Sequence, residues 1–291
     1  MAEVFKDVTV YVSPTSKSKL ISWELDRRFV PTSGQFTFYV ESGYAAGSWT
    51  RLNPTSPVID QSYYTDATTN KYGLINNIYY RVILVDGDSE YISTPQSVTG
   101  VLTLRESAIL RNLLRQQYLR LTNLHAGVQG WLLRRRHWGT RCTVCTDFDL
   151  ENQVSNPNCT TCYGTGIVYG YYNAYPFWME FVGGMQSQIE MKSPTGVEDN
   201  IIRQGRCIAY PIISSYDIWV ADDTDTRYII RTVKTVAELK ERPVIYTISL
   251  HEIPAGQIEY SVPLQASSSS SSGAAETDAS WRAANDDFLE R

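Results

Sequence analysis

This sequence predicts a mainly β, multidomain chain: an N-terminal β-sandwich, a central long helix carrying a four-cysteine module, a small C-terminal β-barrel or sandwich, and an extended tail. Three observations predict it. Short apolar runs alternate along residues 4 to 98 and return after Gly170, with the period of two that a half-buried strand requires. Between them, one stretch repeats its apolar residues at helical spacing. Four of the five cysteines then fall together, as Cys142 and Cys145, and Cys159 and Cys162. The expected domains are residues 1–100, 101–170, 171–265 and 266–291.

In the first domain the strands are VTVYV, KLISWEL, QFTFYVE, SWTRL, IYYRVILV and EYIST, separated by turn sequences such as PTSG and DGD. Phe36, Phe38 and Val40 alternate with Thr37 and Tyr39, so one face is apolar. Trp23 in an early strand and the Tyr79, Tyr80 pair in a late one resemble the core pattern of a fibronectin type III or immunoglobulin-like module. Such modules bind or decorate, and no catalytic constellation is visible in this one.

The helix begins at a capping box, Thr103-Leu-Arg-Glu106, whose hydroxyl and carboxylate can each satisfy a backbone amide left free by the first turn. Leu110, Leu113, Leu114, Tyr118, Leu121, Leu124 and Val128 follow at helical spacing, which predicts a helix from Leu104 to His125. Its stripe reads as core or inter-subunit packing rather than a cofactor groove.

The two CxxC pairs are separated by thirteen residues. Each such turn aims two sulfurs at one point, and the spacer lets the second knuckle fold back on the first, so the pattern suits one tetrahedral zinc ion of structural type. Two disulfides or free thiols are the alternatives. His125 and His137 flank the module as weaker candidate ligands. The unit CYGTG after Cys159 resembles the CxxCxGxG repeat of the DnaJ-type chaperone zinc module. The first pair lacks the glycines and no J-domain is present, so chaperone function does not carry over. Gly164 and Gly166 are expected to permit the positive-φ turn of a knuckle.

After Gly170 come an aromatic stretch, GYYNAYPFWMEF, and the strands CIAYPI, DIWVAD, RYIIRTV, VIYTISL and QIEYSV. Asp222, Asp223 and Asp225 mark a hairpin turn; the glycine and distal glutamate of a calcium loop are missing. Cys207 stands alone and reads as a small buried hydrophobe. Six serines, Ser267 to Ser272, then form a linker. Beyond it, Trp281, Phe288 and Leu289 are the expected anchors on a neighbouring subunit, because a segment without a core orders only by docking.

Charge narrows the function classes. The net charge of -5 and the pI near 5.3 speak against a general binder of nucleic acid. Eight arginines and a single acid lie between Val101 and Arg141, including Arg134, Arg135 and Arg136, so that segment is basic within an acidic chain. A basic surface or a solvated helix face would each account for it. The 20 tyrosines and 7 tryptophans against 8 phenylalanines fit either subunit interfaces or Tyr-rich strands. The N-terminus has no apolar run of a signal peptide, and no run is long enough to cross a bilayer. No GxSxG, HExxH or glycine-rich phosphate loop is present, so no enzyme is expected.

The strands Asp217-Ile-Trp-Val and Arg227-Tyr-Ile-Ile-Arg-Thr-Val, with Leu250-His-Glu-Ile-Pro254 and Ile258-Glu-Tyr-Ser-Val-Pro263, resemble the closing strands of head-to-tail connector and collar proteins in the neck of tailed bacteriophages. The CYGTG module is also similar to segments of phage structural proteins. The resemblance implies a virion protein, made in the host cytoplasm, that forms a homo-oligomeric ring of about twelve copies. It would sit between portal or connector and tail proteins, with DNA only as passing cargo. Arg134, Arg135 and Arg136 would then be interface residues. A baseplate or tail role, and a zinc-dependent nucleic-acid-binding protein, are the alternatives.

Overall fold

The structure, a computed structural model, describes residues 4–264 except 15–17, 27–28, 30, 32–34, 45–46, 68–77, 99–101, 125, 148–152, 155, 182–186, 189–190, 194–195, 199–200 and 241. The chain divides into two compact units, one holding Met1–Arg115 and the other Gln116–Ser267.

In the first unit the strands are β1 (Phe5–Val12), β2 (Lys19–Leu25), β3 (Thr37–Tyr44), β4 (Trp49–Arg51), β5 (Val58–Ile59), β6 (Tyr63–Asp66), β7 (Ile78–Asp86), β8 (Ser89–Ile92) and β9 (Gln96–Ser97). One sheet runs β1-β2-β6 and the other β4-β3-β7-β8, with β5 on β3 and β9 on β7. Every pairing is antiparallel. The apolar rows read from the sequence are the inner faces: Ile21, Trp23 and Leu25 from one sheet, and Phe36, Phe38, Val40, Tyr80, Val82 and Leu84 beside or on the other, are all buried. Trp23 packs its ring 5.0 Å from that of Phe38, which joins the two sheets through aromatic contact. The Tyr-rich strand β6 escaped the sequence reading because Tyr63, Tyr64 and Thr65 do not alternate in polarity; only its partner β2 defines it.

One helix, α1 (Leu104–Thr122), follows. The capping box is reciprocal: the Thr103 backbone N donates to Glu106 Oε2 at 2.9 Å, and the Glu106 N donates to Thr103 Oγ1 at 3.3 Å. A long helix at the centre of the architecture is not what the fold contains. Among the described residues this is the one α-helix; its 19 residues end short of His125, and the division between the two units falls within it. The reason is its thin stripe, since Leu114, Tyr118 and Leu121 are buried while Ile109, Leu113 and Leu124 are exposed.

The second unit contains β10 (Val128–Leu133), β11 (Thr146–Asp147), β12 (Gln153–Val154), β13 (Tyr175–Phe181), β14 (Ser187–Gln188), β15 (Met191–Ser193), β16 (Gly196–Glu198), β17 (Ile201–Ile208), β18 (Ile218–Ala221), β19 (Arg227–Leu239) and β20 (Arg242–Glu252). Six of these close into an antiparallel barrel in the order β13-β10-β18-β19-β20-β17, with β17 returning to β13 through Glu180↔Arg206 and Phe181↔Gly205. Closure removes the free sheet edges and turns alternate residues inward. The interior is filled by Leu132, Phe177, Met179, Trp219, Tyr228, Ile230, Ile248 and Leu250 around Cys207.

Two glycines make that filling possible. A Cβ on Gly130 would stand 2.6 Å from the Trp219 ring and 2.3 Å from the Val220 carbonyl oxygen, and one on Gly205 would meet Met179 Sδ at 2.3 Å. Large and small residues thus face each other across the barrel. The outer face of β10 and β18 is also covered, by Tyr171, Ile253 and Val262, so Ile218 and Val220 are buried as fully as Trp219.

Two expectations are corrected here. QIEYSV is not a strand: Ile258–Ser261 is a 3-10 turn. Its carbonyl oxygens at Glu259 and Val262 accept hydrogen bonds from the buried Arg227 Nη1, and Tyr260 donates its hydroxyl to the Ile253 oxygen, so its polar groups are satisfied without a sheet. The barrel also does not begin after the cysteines. It takes in β10, so the cysteine segment is inserted between two neighbouring barrel strands.

Candidate metal centre

Beyond β10 the chain leaves the barrel and returns antiparallel to itself. Tyr172 N donates to the Arg134 oxygen at 2.9 Å, Arg136 N to the Gly170 oxygen at 2.9 Å, Val168 N to the Thr140 oxygen at 2.9 Å and Cys142 N to the Gly166 oxygen at 3.0 Å. These two arms hold the first knuckle, Cys142 to Cys145, against the second, Cys159 to Cys162. The short hairpin β11–β12 closes the spacer.

The second knuckle shows why its glycines are there. Tyr163 N donates to the Cys159 oxygen at 2.8 Å and Thr165 N to the Cys162 oxygen at 3.0 Å, which curls the backbone around the sulfurs. The curl needs positive φ at Gly164 (74°) and Gly166 (78°). A side chain at Gly164 would also press on the Pro157 oxygen at 2.7 Å.

The arms bring all four sulfurs within 4.8 Å of one another. Cys142 and Cys159 Sγ are 3.8 Å apart, and Cys145 and Cys162 Sγ 3.1 Å. A tetrahedral ion with metal–sulfur bonds of about 2.3 Å sets its sulfurs about 3.8 Å apart. All five cysteines are free, so no disulfide competes for these sulfurs. The cluster therefore fits a single metal ion. Its members are at most 4% exposed, which leaves no open side for a water or substrate. Among the described residues this is the one group of three or more His, Cys, Asp or Glu side chains placed to share an ion, and His137 is not in it. His125 lies outside the described residues.

Protonation points the same way. Backbone N–H groups of Cys162 and Thr161 hold the Cys159 thiol down at about 6, against its burial. Burial pushes Cys145 and Cys162 up, so the pocket resists gathering further negative charge by itself. A divalent cation supplies the opposing charge that lets all four ligate as thiolates. Cys207, remote in the barrel core, is raised to about 12 by burial alone and is the inert apolar filler its sequence suggests.

The arginines of the basic segment lie at the root of the arms. Arg136 is buried, donates from Nε to the Tyr171 oxygen at 3.2 Å and lies 4.8 Å from the Tyr172 ring. Arg134 stands over the same ring at 5.8 Å. Arg135 turns to the other side, 5.6 Å from the Tyr216 ring. All three are half-buried or buried rather than free on the surface. Trp281, Phe288 and Leu289 lie outside the described residues.

One residue of this region had no signal in the sequence. Asp217, 1% exposed, accepts from Arg135 N at 2.8 Å and from Ser214 N at 2.7 Å, tying the base of one arm to the start of β18. Burial raises its carboxyl to about 6, while the charges of Arg134 and Arg135 and the two backbone N–H groups pull the other way. Compared with protein-family models and with curated proteins, the chain matches none.

Proposed function

We propose that this protein is a structural subunit of a multi-copy particle, with zinc as the ion of its four-thiolate cluster. The observation that carries the reading is the closure of that cluster: four buried sulfurs, set between two strands of one barrel, can fix geometry but offer no site for chemistry. Zinc is the ion whose softness and tetrahedral preference suit four thiolates. Within this class the resemblance of residues 217 to 263 favours the neck of a tailed phage, where the chain would form a ring between portal and tail with DNA passing through. A baseplate or tail position is the neighbouring reading.

The arginines support a structural reading over a nucleic-acid reader. Arg136, the most deeply placed, is engaged by Tyr171 and Tyr172 of its own chain, and the chain as a whole is acidic. Electron microscopy of the purified protein, with metal content measured on the same sample, tests the proposal. Rings with about one zinc per chain are expected. A strictly monomeric protein, or one that binds duplex DNA tightly at low salt, would sink it.

A further inference from the structure

A second cluster of reactive side chains lies inside the N-terminal unit. Lys19 on β2 and Asp66 on β6 are direct cross-strand partners, and each is 3% exposed. Lys19 Nζ stands 3.8 Å from Asp66 Oδ2. Tyr80, on β7 of the opposite sheet, donates its hydroxyl to that same Oδ2 at 2.7 Å, and its ring centre is 6.0 Å from Lys19 Nζ. An amine, a carboxyl group and a hydroxyl donor thus converge in the sandwich interior.

The pair is poorly arranged as a plain ion pair. A separation of 3.8 Å is beyond hydrogen-bond range. A buried ammonium keeps its charge only when paired and hydrogen-bonded. Attack on the carboxyl carbon requires that the amine hand one proton to the carboxylate beside it. The neutral amine is a nucleophile, and Tyr80 holds a donor on the oxygen where negative charge would develop. Burial, reinforced by the bond to Asp66, raises the Tyr80 hydroxyl so that it stays protonated and donating.

From this geometry we propose that Lys19 and Asp66 join in an intramolecular isopeptide bond, a covalent staple between β2 and β6. The bond from Nζ to the Asp66 carboxyl carbon forms and one carbon–oxygen bond of that carboxyl breaks. The oxygen leaves as water, carrying one proton from the acid and one from the amine. Nothing is oxidised or reduced, and no co-reactant is consumed. The staple would tether the middle strand of the three-stranded sheet to its neighbour and restrict the unfolded chain as other cross-links do. It is independent of the metal and of the assembly reading.

Intact mass measured on the denatured full chain tests the proposal, with Lys19→Arg as the comparison. The wild type is expected to be lighter than its sequence mass by about 18 Da, one water, while the variant has its full mass. Proteolysis should yield one cross-linked species containing both the Lys19 and the Asp66 peptides. A wild-type protein at full mass overturns the proposal. So does a loss of water that persists in Lys19→Arg, which would place the dehydration elsewhere.

Discussion

Replacing Cys162 by Ser is expected to release the metal and open the two arms while the barrel stays folded. The arms have little else to hold them. Among the described residues between Arg134 and Tyr172, the buried apolar side chains besides the cysteines are Trp138, Ile167, Tyr171 and Tyr172. Each contributes on the order of 1.5–3 kcal/mol at full burial, whereas fixing the backbone costs roughly 1–2 kcal/mol for every residue of the stretch. A structural four-thiolate site adds about 10–16 kcal/mol of apparent binding free energy, enough to reverse that balance. The barrel core, around Trp219, Ile248 and Leu250, is a separate cluster that includes none of these sulfurs. Hydrogen exchange resolves the two regions. The amides of Cys142, Tyr163, Thr165 and Val168 should lose protection in Cys162→Ser, or on chelation of the wild type, while those of β18 and β20 keep theirs. Arms that stay protected with the metal gone would refute the reasoning, because apolar contact would then suffice. A barrel that melts together with the arms would refute it as well.

Two further outcomes follow from the barrel. Gly130→Ala pushes a methyl against the fully buried Trp219 and a backbone oxygen, neither of which is the free end of a flexible chain, and should cost at least about 1–3 kcal/mol, read as a fall in Tm. Asp217 gives a pH signature. Its carboxyl is raised to about 6 when folded, so between about 4 and 6 the folded state binds more protons than the unfolded one. Stability from this group is therefore greatest below about 4, declines as pH rises to about 6, and is level above, with a total effect of roughly 3 kcal/mol. Asp217→Asn should abolish that slope in denaturant titrations run across the window, and should lower stability at low pH by about 1–3 kcal/mol through the loss of one backbone hydrogen bond.

How legible was all this in the sequence? The cysteine spacing picked out the four clustered sulfurs, and the glycines of CYGTG named the turn, because both are local: a knuckle is built from consecutive residues with fixed backbone demands. The capping box is legible for the same reason, since both partners lie within one helical turn. The extent of β19 was not. Residues 234 to 239 continue the strand past RYIIRTV only because β20 runs beside them, with bulges in the register. Asp217 and the Lys19, Asp66 and Tyr80 cluster had no signal either. In the sequence each is an ordinary polar or aromatic residue, and it becomes a buried polar group only when the tertiary structure lays other segments against it.

By itself, then, the sequence determined which faces of the strands are apolar, where the helix starts, and which four sulfurs can meet. Tertiary structure decided that the second set of strands closes into a barrel, that β10 on the near side of the cysteines belongs to it, and that the cysteine module hangs from the gap between β10 and β13. The physical reason is range. A period of two says that a strand has an inner face but not which strand lies beside it, and closure rests on pairings such as Phe181↔Gly205 and Gly130↔Ala221, between residues that the chain keeps far apart.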